Sequence, residues 1–199
     1  MGKVTWGGGT LLAPVPPALV TCGTMEHPNV LTIAWTGIIN TIPAKTYISV
    51  RPERYSYSMI EETGEFAINL PTAALVRAVD LCGVKSGRNL NKFELTGLTP
   101  VPASQVSCPI LAESPLSLEC RVVEKIPLGS HDMFLAEIVA MDVNEELLDQ
   151  HGKLHLDRAS LLAYAHGEYF ELGKKLGSFG YSVRKKHRKP GNSGKSGRK

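Results

Sequence analysis

The sequence predicts a mainly β protein, an antiparallel β-barrel with short helices inserted. Three observations carry that prediction. Strand-like segments come first and last, with short helical stretches between them and no regular strand–helix alternation. Residues 29–36 alternate with a period of two, setting Leu31, Ile33 and Trp35 on one face and Val30, Thr32, Ala34 and Thr36 on the other. Two long β-type runs, Ser117–Lys125 and Met133–Val143, are joined by a turn at Pro127-Leu128-Gly129-Ser130.

The elements follow in order. Residues 4–17 are irregular, with a run of glycines and then Pro14, Pro16 and Pro17. Ala18–Thr24 reads as a first strand and Asn29–Trp35 as a second, after a turn at 25–28. Pro43 closes the next loop, and the β-branched run Thr46–Val50 is a further strand. Tyr55–Thr63 has a helical pattern ended by Gly64. Ser58 and Glu61 have capping-box spacing, which places the helix start near Ser56–Ser58. Phe66–Leu70 is a short strand stopped by Pro71, Thr72 caps a helix running to about Leu81, and Leu90–Thr96 is a short helix. Residues 145–150 form a helical turn. Residues 151–183 are rich in aromatics and glycine and show no clean period.

Composition narrows the function classes. The chain has 199 residues, 43% hydrophobic and 21% charged, which suits one domain with a substantial core. No apolar run is long enough to span a bilayer, and the N-terminal stretch has no signal-peptide pattern, so a cytoplasmic protein is expected. Cys22, Cys82, Cys108 and Cys120 are widely spaced without a C-x-x-C pair, and the six His form no metal-binding pattern. Buried free thiols and no zinc site are expected.

Residues 184–199 hold eight Lys or Arg and no acid, leaving a body of net charge −5 (the chain's +3 less the tail's +8). The expected organisation is one domain over 1–183 and a disordered basic tail over 184–199. The tail could meet nucleic acid through charge alone, but a solvated accessory role is expected. Its GKSGRK fragment lacks the leading glycine of a P-loop, since Lys189 stands there.

The candidate chemistry lies in "SVRPERYSYSMI", residues 49–60. Arg51 and Arg54 stand beside a helix start that also carries Tyr55, Ser56 and Ser58. Unpaired helix amides, guanidinium forks and hydroxyls make a phosphate pocket, although surface arginines beside a capped helix are also common. The strand carrying Asn29, Thr32 and Thr36 would offer polar groups to the edge of a flat ring, with Gly37 admitting close backbone approach. No G-x-G-x-x-G follows a strand, so the features wanted for FAD or NAD are lacking.

The runs "HPNVLTIAWTGIINTIPAKTYISVRPERYSYSMIEETGEFAINLP", "DLCGVKSGRNLNKF" and "GSHDMFLAEIV", in this order, closely resemble the flavin reductase-like FMN-binding split-barrel family, its flavoredoxin branch in particular, over about residues 8–183. The resemblance implies a six-stranded antiparallel split β-barrel of Greek-key type that forms a homodimer with FMN near the interface. It implies that Asn29, Thr32, Ile33, Ala34, Trp35 and Thr36 meet the flavin ring and ribityl chain. Ser49, Val50, Arg51, Arg54, Tyr55, Ser56 and Ser58 would hold the ribityl and phosphate. Lys92 is the cofactor candidate of the "SGRNLNKF" loop, its alternative being a surface ion pair. His131 falls on the nicotinamide or substrate side, or is structural. Tyr164, Tyr169 and Phe179 would cover the flavin from the partner, or form interface core. Cys82 lies within the second block and is a weak candidate for a redox role.

The implied activity is transfer of electrons from NADH or NADPH through FMN to a flavin, metal or protein acceptor, with no catalytic side chain required. Two alternatives stand beside it. One is an FMN-binding electron carrier that does not itself oxidise a nicotinamide. The other is a binder of acidic partners through the tail.

Overall fold

The computed structural model describes residues 2–184; the basic tail, apart from Arg184, lies outside the described residues. Fourteen elements follow in chain order: β1 Ala18–Gly23, β2 Pro28–Ile33, β3 Thr36–Thr41, β4 Ala44–Val50, α1 Tyr55–Thr63, β5 Glu65–Asn69, α2 Val76–Val84, α3 Lys92–Thr96, β6 Pro100–Val101, β7 Ile110–Leu111, β8 Leu116–Pro127, β9 Asp132–Val143, β10 Leu162–Ala165 and β11 Glu168–Glu171.

Seven strands build one antiparallel sheet in the order β2-β1-β5-β8-β9-β4-β3. The sheet curls on itself without closing, and the β3–β4 ladder continues one rung before β3, the Ser49 amide donating to the Trp35 carbonyl at 2.9 Å. This is the split barrel expected. Its sheet has seven strands rather than six because the run from 28 to 41 is not one element. It bends at Ala34–Trp35, and β2 and β3 end on opposite edges of the sheet. Gly37 therefore lies on β3, paired with Tyr47 of β4, and its carbonyl accepts from the Thr46 hydroxyl at 3.0 Å.

The sheet separates two apolar cores. Val20, Leu31, Ile48, Phe66, Ile68 and Phe134 fill the barrel interior, closed at one end by Ile60 of α1. Leu19 and Val30 point the other way, under α2 and α3, where they meet Val79, Cys82 and Phe93. That two-sided burial explains why β1 is buried along its whole length. All four cysteines are free and buried, as their spacing suggested.

The helix boundaries correct the sequence reading. α1 starts at Tyr55, with Arg54 as its N-cap residue, and no side chain caps it; Ser58 is exposed in its second turn, so the capping-box spacing is not used. Pro52 sets the entry turn, in which the Arg54 amide donates to the carbonyl of Arg51 at 3.0 Å. Thr72 precedes a short 3₁₀ turn, and α2 begins only at Val76. α3 begins at Lys92, capped by the Asn91 side chain. The unpatterned stretch after 151 contains the hairpin β10–β11, which turns through His166 and Gly167 at positive φ (50° and 87°). No described helix is long and apolar enough to cross a membrane.

Candidate functional site

A cleft runs along the outer edge of β2. Within the sheet β2 pairs only with β1, so its other edge is free. One chamber, about 190 Å³, is bounded by Leu31–Trp35, the Ser49–Arg51 end of β4, and His131 from the β8–β9 turn. It opens into a second chamber of about 390 Å³ formed by Asn29, the N-terminus of α1, the C-terminus of α2 with residues 83–87, and Lys92. Leu31, Thr32, Arg51 and Arg54 border both. Together the chambers have the size of a small-molecule site.

Local chemistry fixes the walls. The last carbonyls of α2 need donors, and two cations supply them: Arg54 Nη1 donates to Gly83 O at 3.1 Å and Lys92 Nζ donates to Cys82 O at 2.9 Å. The same ammonium donates to Val30 O at 2.8 Å, tying β2 to α2. Lys92 is only 4% exposed, and burial pushes its ammonium below the ordinary lysine range. It is a buried strut at the cleft wall, not half of a surface ion pair. Arg54 keeps most of its five N–H donors for a ligand. Arg51 stands beside it, exposed, with Glu53 at 3.5 Å. The uncapped first turn of α1 adds free backbone amides and the positive end of a helix dipole.

The hydroxyls and amides of the 28–41 run are mostly spent within the protein. Asn29 Nδ2 donates to Ser56 Oγ at 2.6 Å, the Thr32 hydroxyl to Val79 O at 2.5 Å, and the Thr36 hydroxyl to Tyr47 O at 2.6 Å. What β2 presents to the cleft is therefore chiefly its free backbone edge. The structure brings Asn29, Thr32, Ile33, Ala34, Trp35, Ser49, Val50, Arg51, Arg54, Tyr55, Ser56, Lys92 and His131 to the cleft lining. It does not bring Thr36 or Ser58 there. Thr36 lies past the bend on β3, and Ser58 faces solvent.

Tyr164 and Tyr169 pair across β10–β11 with ring centroids 5.5 Å apart, and Phe179 is fully exposed; none of the three lines this cleft of the single chain. Cys82 lies on the cleft floor, and burial raises its thiol to about 11, so it stays protonated at neutral pH.

The reading from sequence passed over Gly83–Gly87 as individual lining residues. A signal was present: an apolar helix running into "GVKSG" offers small residues and exposed backbone. At Gly87 the need is explicit, since a Cβ there would stand 2.2 Å from Asn29 Oδ1.

Comparison with known proteins identifies the family and agrees with the fold. A model of the flavin reductase like domain matches residues 11–173. The flavoredoxin of Desulfovibrio vulgaris (Miyazaki F) superposes with a TM-score of 0.85 at 32% identity, covering 92% of this chain and 100% of that one. A flavoredoxin of Methanosarcina acetivorans gives 0.81 at 26% identity over 92% of this chain and 100% of that one. An uncharacterized protein of Archaeoglobus fulgidus is 32% identical over 159 residues, 80% of this chain and 88% of the relative. The chain belongs to the flavin reductase-like family, in its flavoredoxin branch.

Proposed function

We propose that the cleft binds FMN and that the chain is an oxidoreductase passing electrons from NADH or NADPH to a flavin, metal or protein acceptor. One observation carries this reading: the free backbone edge of β2 leads directly into the doubly cationic, uncapped start of α1. The donor set fits the cofactor. A strand edge matches the alternating donors and acceptors along a flavin ring, and two guanidinium groups with helix amides match a phosphate dianion. FMN, when bound, supplies hydride acceptance and onward electron release.

The chain's own residues bind, orient and shield. Arg54 is already fastened to Gly83 O, so it meets a phosphate with part of its rotamer freedom spent beforehand. The backbone of 31–35, fixed against β1 at one end and by Ser49 at the other, sets the ring's plane. Leu31 and Val50 exclude water from the closed side. His131, half-buried and linked to Ser130 Oγ at 2.9 Å, borders the mouth by which a nicotinamide would approach.

A homodimer belongs to the same reading. Val4, Trp6, Leu12, Leu176, Phe179 and Val183 are exposed on the two terminal arms, apolar side chains that a second copy would cover.

The test is flavin titration. Arg54→Ala is expected to weaken FMN binding by about tenfold to a hundredfold while leaving riboflavin, which lacks the phosphate, nearly unaffected. Equal loss of both ligands would move the phosphate away from Arg54. Anaerobic addition of NADH and then NADPH to the FMN-loaded protein is expected to bleach the flavin spectrum. Bleaching by dithionite alone would replace the reductase reading with that of an electron carrier.

A further inference from the structure

The two ends of the cleft are joined by a contact that borders neither chamber. His131 closes a short loop, residues 128–131, between Pro127 and Asp132, which pair across β8 and β9. The loop turns at Gly129 (φ 101°), and the Leu128 amide donates to the His131 carbonyl at 2.9 Å. Asp132 follows directly. Its backbone pairs with Val50, the last residue of β4 before Arg51, and its Oδ2 accepts a hydrogen bond from the Tyr57 hydroxyl. Tyr57 lies in the first turn of α1. One side chain thus ties the helix that offers its amides at the phosphate end to the turn that carries His131 at the ring end.

We propose that Tyr57 and Asp132 are positioning residues for the nicotinamide donor: their bond fixes the loop that places His131 at the mouth of the cleft. The inference rests on the reductase reading of the site. Neither residue lines a chamber, so both act through His131 and not on a ligand. Anchoring of α1 does not need the hydroxyl. Ile60 already seats the helix in the barrel end, and the Tyr57 ring packs edge-on against Phe134, centroids 5.3 Å apart. Glu61, one turn further on, pairs with Lys125, whose ammonium lies 5.8 Å from the centroid of the Tyr57 ring. What the hydroxyl adds reaches only Asp132. Bonding to Asp132, then burial, raises the phenol above the ordinary tyrosine range, so at neutral pH it is a fixed donor. That suits the chemistry. One hydride passes from the reduced nucleotide to the flavin, the oxidised nucleotide leaves, and the step needs no side-chain proton. The demand on the protein is placement, where a shift of about 1 Å can cost a hundredfold. Ser130 Oγ engages His131 Nδ1 at 2.9 Å, so the ring atom that remains for a nucleotide is Nε2.

The experiment compares Tyr57→Phe, which removes only the hydroxyl, with the wild-type full-length chain, both flavin-free and loaded with FMN. In the flavin-free protein, hydrogen exchange of the Leu128 amide reads whether the loop is held. It should quicken by about fivefold to tenfold in Tyr57→Phe while the β5 amides keep their rates. In the loaded protein, the KM of whichever nucleotide bleaches the flavin should rise by about the same factor, with FMN affinity within about twofold. Asp132→Asn, whose amide oxygen still accepts from Tyr57, should stay near wild type, and Asp132→Ala should match Tyr57→Phe. In a His131→Ala background, Tyr57→Phe should raise KM no further, because the residue it works through is gone. Additive effects of those two substitutions overturn the proposal and leave the reductase reading intact. So does a fall in FMN affinity as large as the rise in KM, or an unchanged Leu128 exchange rate. FMN-loaded wild-type protein that neither nucleotide bleaches overturns the reductase reading and this proposal together.

Discussion

Two buried charges in this protein are satisfied in different degrees. Glu119, on β8, is fully buried, and both its oxygens are used: Oε1 accepts from Ser104 N and Ser104 Oγ, each at 2.7 Å, and Oε2 from Gln105 N at 2.6 Å and Val106 N at 3.0 Å. Burial alone would raise its carboxyl, yet the donors of Ser104 and Gln105 outweigh burial and hold it low. Lys92 is nearly as buried, but its two carbonyl partners leave it one donor, and it stands in the cleft wall. A charge with every partner supplied by one loop pins that loop and has nothing left for a ligand. A charge with one partner missing, beside a cleft, has capacity to bind. Burial by itself therefore does not distinguish structure from function; the count of unmet hydrogen bonds does.

The comparison can be broken most sharply at Glu119. Glu119→Leu strands four donors and should cost about 3–5 kcal/mol in urea denaturation. A loss below about 1 kcal/mol would mean that water replaces the carboxylate and that the pinning is dispensable. Lys92→Met comes next. Stranding Val30 O and Cys82 O should cost about 1–3 kcal/mol, and flavin affinity should fall with it. Lost stability with unchanged flavin affinity would make Lys92 as purely structural as Glu119. Thr32→Val should cost about 1 kcal/mol, through its bond to Val79 O, and leave flavin affinity unaltered. A tenfold drop in affinity would show that the side chain, and not the strand edge, meets the ligand.

The smallest effect concerns Asp142, beside Glu119, with Oδ2 buried and without a partner. Burial, then the neighbouring carboxylate, raises its carboxyl from 3.8 to about 6. The folded state thus holds this proton more tightly than the unfolded state. The resulting contribution is present below about pH 4 and is lost as pH rises through about 6. Asp142→Asn should become progressively more stable relative to wild type over that window. A flat difference between pH 4 and 7 would separate Asp142 from the Glu119 network.

Part of this molecule was legible in its residues. The alternation in β4, β8 and β9 and the glycine ending α1 set those elements within a residue or two. Arg51, Arg54 and Ser56 were identifiable because they crowd the entry and first turn of an amphipathic helix. The bend at Ala34–Trp35 was not, since period-two alternation continues unchanged while the strand leaves one edge of the sheet for the other. The β10–β11 hairpin was hidden because its turn is His-Gly rather than Asn-Gly. Ser58 and Glu61 had the right spacing for a cap, but Pro52 had already turned the chain three residues before the helix.

The sequence by itself determined the antiparallel β class, the buried thiols, and a cationic helix start beside a strand with polar side chains. Those follow from periodicity and residue type, which act over a few neighbouring positions. Only the tertiary structure decided that Thr32 spends its hydroxyl on α2, that Thr36 lies outside the cleft, and that Lys92, sixty-two positions from Val30, holds the β2 carbonyl from across the chain. It also decided that residues 83–93 line the cleft beside the start of α1. Hydrogen-bond partners far apart in sequence are chosen by which backbone groups the folded sheet leaves unpaired, and no local pattern records that.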